Sequence, residues 1–69
     1  MKIQTVSRYI SLASEGLVPG LECPMDQAPL MCNQDLEDNI YLYCLSCDYK
    51  NYIGLVFYNK LIRLIELTK

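Results

Sequence analysis

Two cysteines separated by two residues, Cys44 and Cys47 in CLSC, carry the clearest chemical signal in the chain. At that separation a tight turn aims two thiolates at one ion, and nearby backbone amides can donate to the sulfurs. A second half-site lies upstream in CPMDQAPLMC, where Asp26 stands three residues after Cys23 and a further cysteine, Cys32, arrives six residues later. Counting Cys23 and Asp26 as donors gives one pair, a spacer of seventeen residues, and the CLSC pair. That spacer falls in the range that brings two such turns onto one zinc ion. Putting Cys32 in place of Asp26 gives gaps of eight, eleven and two, which match no paired spacing.

Geometry agrees with the counting. A chain that turns at CPMD and runs back as a strand through APLMC moves about 3.3 Å per residue, so Cys32 ends more than about 10 Å from an ion at the turn. Ligand chemistry pulls the other way, because thiolate is the preferred donor in structural zinc sites and carboxylate is commoner in catalytic ones. If Pro29 bends the segment back, Cys32 competes for the fourth position. Without a metal role, Asp26 reads as a turn residue capping its own backbone and Cys32 as a small buried hydrophobe. A redox CxxC is the other use of Cys44 and Cys47, but it calls for a βαβ pattern that the chain lacks.

What must position these residues is small. A chain of 69 residues makes one domain with a thin core, and such domains usually need reinforcement by disulfides or metal. The opening residues, MKIQTVSRYISLASEG, lack the apolar run and cleavage site of a signal peptide. A reducing, cytoplasmic compartment is therefore expected, where clustered cysteines mean metal or redox chemistry rather than disulfides. Lys60, Arg63 and Glu66 interrupt the last apolar stretch, so no membrane span is expected. Six basic and eight acidic residues give a formal charge of −2, a poor match to a phosphate backbone. Three thiolates around one zinc ion make the loaded chain about one unit more negative still.

The hydrophobic pattern divides the chain into three parts, with residues 1–17 an N-terminal helix, 21–53 a small antiparallel sheet and 54–69 a C-terminal helix. Ile3, Val6, Ile10 and Ala13 recur at helical spacing, Leu17 continues it, and Gly16 marks the end. The runs PLM, IYLYC and YKNYIG alternate with turn-like clusters such as NQDLEDN, as strands of a three- to four-stranded sheet would. In the last segment Leu55, Tyr58, Leu61, Ile62 and Ile65 form one stripe, with Asn59, Lys60, Arg63 and Glu66 opposite.

CPMD, Leu30, the acidic loop and YLYCLSCDYK together resemble a zinc ribbon, in which two metal-binding turns at the ends of antiparallel hairpins clamp one ion. The resemblance covers about residues 21–53 and implies a small α+β fold, a zinc ribbon flanked by two helices. Cys23, Cys44 and Cys47 fall on ligand positions of the family pattern, and Asp26 sits where the remaining ligand, usually cysteine and sometimes histidine, is found. In size and style the chain is similar to the very small zinc-ribbon proteins common in bacteriophage genomes.

Fold alone does not choose among the roles of such proteins. The chain has no histidine, no nucleophile beside a base and no glycine-rich phosphate loop, and three cysteines plus a carboxylate close a tetrahedral site. It is therefore expected to be non-enzymatic and to take no small-molecule substrate. Were Asp26 not a ligand, the open position would admit catalysis. Six tyrosines, two of them, Tyr49 and Tyr52, beside Lys50 in the third run, offer surfaces for stacking bases, which is the basis for a regulator of transcription or another nucleic-acid machine. The main expectation is a scaffold or adaptor subunit, in the cytoplasm or, as a phage structural component, in the virion. Apolar helix residues Leu55, Phe57, Tyr58, Leu61, Ile62, Leu64 and Ile65 exceed what a small sheet can bury, so a protein partner or a second copy should cover the excess.

Overall fold

The computed structural model describes residues 1–68; Lys69, placed in the C-terminal helix by the sequence pattern, lies outside the described residues. The chain forms α1 (Ile3–Ser14), β1 (Met31–Gln34), β2 (Ile40–Tyr43), β3 (Lys50–Tyr52) and α2 (Leu55–Glu66). It is a small α+β fold: a three-stranded antiparallel sheet in the order β1-β2-β3 with a helix before and after it.

Helix α1 ends where the glycine signal placed it. Gly16 adopts φ +77°, a left-handed conformation that only glycine reaches without cost. There the amide of Leu17 donates to the Leu12 carbonyl and the amide of Gly16 to that of Ala13, the two bonds of a Schellman cap. Leu17 itself turns out to solvent, because the cap swings the chain off the helical stripe. The opposite end has no side-chain cap of its own. Instead the hydroxyl of Tyr58, on α2, accepts from the Lys2 amide at 3.0 Å and donates to Thr5 Oγ1 at 3.1 Å. A tertiary contact thus satisfies a donor that helix geometry leaves orphaned.

The sheet follows its alternation. On β2 Ile40 and Leu42 are buried while Tyr41 and Tyr43 are half-buried on the other face. Residue Cys32 pairs with Leu42, Asn33 with Tyr41 and Gln34 with Ile40, and Tyr41 pairs with Tyr52 across the second ladder. The NQDLEDN loop between β1 and β2 is held by Asp35, whose carboxylate accepts from the amides of Glu37 and Asn39 at 2.9 Å each. Those donors, the Asn39 amide first, hold its carboxyl below the usual carboxylate range. The expected first hairpin is shorter than its counterpart: a single bridge joins Glu22 to Pro29, so the sheet has three strands rather than four.

One buried cluster unites Val6 and Tyr9 of α1, Ile40 and Leu42 of β2, Tyr58, Leu61 and Ile65 of α2, and the two cysteines Cys23 and Cys44. Tyr9 is fully buried and its hydroxyl donates to the Pro19 carbonyl, fastening the segment after α1; burial raises its pKa. Of the apolar α2 residues, Tyr58, Leu61 and Ile65 are therefore used inside the chain, and Phe57, Ile62 and Leu64 are half-buried. Leu55, assigned by spacing to the same stripe, is 63% exposed. At 100° per residue it lies about 90° from the centre of the buried stripe, whose backward extension lands on Gly54. None of the described helices is long and apolar enough to cross a membrane.

Candidate metal centre

Two turns built alike face one another at one end of the sheet. In the first, the Cys23 amide donates to the carbonyl of Ala28, five residues on, at 2.9 Å; in the second, the Cys44 amide donates to the carbonyl of Tyr49, also five residues on, at 3.1 Å. The matching closure makes Asp26 the positional equivalent of Cys47, each standing three residues after the cysteine that opens its turn. In the first turn Gln27 takes φ +61°, uncommon for a residue with a Cβ, and its amide returns to the Cys23 carbonyl at 2.8 Å.

Asp26 is thereby brought to the cysteines. The ligand atoms of Cys23, Asp26, Cys44 and Cys47 all lie within 4.8 Å of one another. Cys23 Sγ is 3.2 Å from Cys47 Sγ, and Cys44 Sγ is 3.5 Å and 3.7 Å from the two carboxylate oxygens of Asp26. Around a tetrahedral zinc with bonds of about 2.3 Å, neighbouring sulfurs stand about 3.8 Å apart. The separations here run from 3.2 Å to at most 4.8 Å, so the cluster matches the ion's donor spacing to within about 1 Å. Cys23 and Cys44 are buried, Cys47 is half-buried and Asp26 is exposed, so the donors span the boundary between core and solvent.

The thiols are tuned unequally. The hydroxyl of Ser46, followed by its amide, lowers the pKa of Cys44. At Cys47 the Tyr49 amide pulls downward, but Cys23, burial and Cys44 together push the thiol up to about 11, as expected where neighbouring sulfurs cannot all ionise without a cation. Asp26 is held as a carboxylate, its pKa drawn down to about 2 by the Ser46 hydroxyl and then the Ala28 amide. An ion bound there would favour all three thiolates.

Cys32 is not brought to this cluster. It lies in β1, half-buried, and lines a shallow groove with Ile3, Gln4, Ser7, Arg8 and Ser11. Burial raises its thiol pKa. Asp26→Ala should therefore weaken metal retention while Cys32→Ala leaves it unchanged, a contrast that metal analysis after gel filtration reads directly. Loss of metal from the Cys32 variant alone would reverse the assignment. Spacing reasoning missed Ser46, whose hydroxyl donates to Asp26 Oδ2 at 2.5 Å from inside the other turn. Its only sequence signal is a hydroxyl residue between two cysteines.

The donor chemistry, three sulfurs and one carboxylate, fits a tetrahedral divalent ion. No family, no curated protein and no solved structure matches the chain. What it can do must be argued from these residues.

Proposed function

We propose that the protein is a non-enzymatic zinc ribbon that serves as a scaffold or adaptor in a larger protein assembly. Zinc is the ion this reading assigns to Cys23, Asp26, Cys44 and Cys47, since it takes mixed sulfur and oxygen donors tetrahedrally and needs no redox chemistry. Four protein donors leave no position for substrate or water, which is the arrangement of a structural site. The resemblance to small zinc-ribbon proteins of bacteriophage genomes makes a phage structural assembly the first setting to test.

The observation that carries the scaffold reading is where apolar side chains remain exposed. Met25 and Leu45, at the tips of the two turns, are 79% and 78% exposed, at positions where a solvated turn is usually polar. Leu55 and Val56 add an exposed apolar pair at the start of α2. Covering one such side chain fully is worth about 1.5–3 kcal/mol, so a few of them drive association.

A second reading, contact with nucleic acid, draws on the sheet face turned away from the core. Tyr41 stacks edge-on with Tyr52 at 5.4 Å between centroids, Tyr43 lies 6.0 Å from Tyr41, and the Lys50 ammonium sits 4.4 Å from the Tyr41 ring centre. These rings are occupied with each other and with the cation, and the net charge of −2 opposes a phosphate backbone.

Protein purified without chelator should contain about one zinc per chain and elute as an oligomer or with a protein partner, indifferent to added DNA or RNA. Metal analysis with light scattering measures both. A monomer over a wide concentration range that shifts nucleic acid, with affinity falling steeply as salt rises, would end the scaffold reading.

A further inference from the structure

We propose that Ser46 is a positioning residue that makes Asp26 a fixed fourth donor, an inference that rests on the metal reading of the site. Two contacts compete for its side chain. Its oxygen lies 2.5 Å from Asp26 Oδ2 and 3.3 Å from Cys44 Sγ. A hydroxyl carries one proton, and the shorter contact makes the carboxylate its main acceptor, with the Cys44 sulfur a weaker, longer one.

Asp26 needs such a hold. It is exposed, and its side chain would otherwise exchange freely with water. The Ala28 amide fixes Oδ1 at 3.1 Å and Ser46 fixes Oδ2, one oxygen from its own turn and one from the opposing turn. A carboxylate has about four lone-pair sites, so these two bonds still leave room for an ion. The two turns also differ in a telling way. The residue before Asp26 is Met25, which points to solvent, whereas the equivalent position before Cys47 is Ser46, whose hydroxyl crosses to the carboxylate. Carboxylate and hydroxyl thus form a single device spanning the two turns, locking the weaker donor of the set into place.

The test is a double-mutant cycle on the full chain, with zinc affinity measured by competition against a chromophoric chelator and the visible spectrum of the cobalt(II) form as a second readout. S46A should lose about 10- to 100-fold in zinc affinity, the usual cost of removing an outer partner of a ligand. Its cobalt bands should weaken as water adds beside the loosened carboxylate and coordination rises from four to five. S46T, which keeps the hydroxyl, should restore most of both. In a D26A background, S46A should cost nothing further. Equal affinity and spectrum for S46A and wild type would overturn the role of Ser46 alone. An undiminished loss in the D26A background would overturn it too, assigning the hydroxyl to Cys44. A wild-type chain that binds neither zinc nor cobalt would overturn the metal reading and this inference with it.

Discussion

Cys23→Ser should yield a chain that no longer holds zinc at purification and that lacks a cooperative unfolding transition. Cys23 is the only cysteine of the first turn, is 1% exposed, and lies 3.2 Å from Cys47 Sγ of the second turn. Structural zinc in small peptides contributes about 10–16 kcal/mol of binding free energy. Shared evenly over four donors that is about 3 kcal/mol each, so losing one sulfur lowers affinity by about a hundredfold or more. The loss is not confined to the ion. Only the Glu22–Pro29 bridge and its flanking backbone bonds close the first hairpin, and Cys23 belongs to the central buried cluster, so on the proposed reading a bound ion adds the main further tie between this segment and the sheet. Chelator applied to the wild-type chain should reproduce the same collapse. Zinc retained by the variant at wild-type affinity, measured by chelator competition, would contradict the assignment.

The second large effect lies away from the metal. Leu61→Ala should lower the stability of the zinc-saturated protein by about 2–5 kcal/mol. Leu61 is 1% exposed and lies in the one cluster that contains residues of both helices and the sheet. A domain of this length has a total stability of about 3–10 kcal/mol, so the substitution removes a large share of it and should lower the melting temperature by more than about 10 °C. Val56→Ser provides the control, because Val56 is 87% exposed and a surface change of that kind stays within about 0.5 kcal/mol. Thermal unfolding with excess zinc separates the two. Comparable melting temperatures for both variants would mean that α2 is not docked through Leu61.

That Cys23, Asp26, Cys44 and Cys47 come together could be read from the sequence because spacing in this case encodes geometry. Turns of fixed shape need their donors three residues apart, and the seventeen-residue spacer is the length of a strand, a loop and a strand. Strand alternation likewise placed Ile40 and Leu42 opposite Tyr41 and Tyr43. Ser46 escaped because its role depends on a partner twenty positions away, and no local rule connects the two. Leu55 was misassigned because an apolar stripe fixes a helix's face but not where that face begins. Tyr9 went unremarked because a buried tyrosine needs an acceptor for its hydroxyl, and the Pro19 carbonyl that provides it follows the Schellman cap.

The cap at the head of α1 has a consequence for how the chain is made. Its acceptor and donor both come from Tyr58, 56 positions after Lys2, and a twelve-residue helix is marginal in water by itself. During synthesis α1 therefore emerges long before the residue that completes it. Val6 and Tyr9 wait with it, since part of the surface that buries them belongs to α2. Both turns precede Tyr58 in the chain, so on the proposed reading an ion can fasten the sheet before the helices close over it.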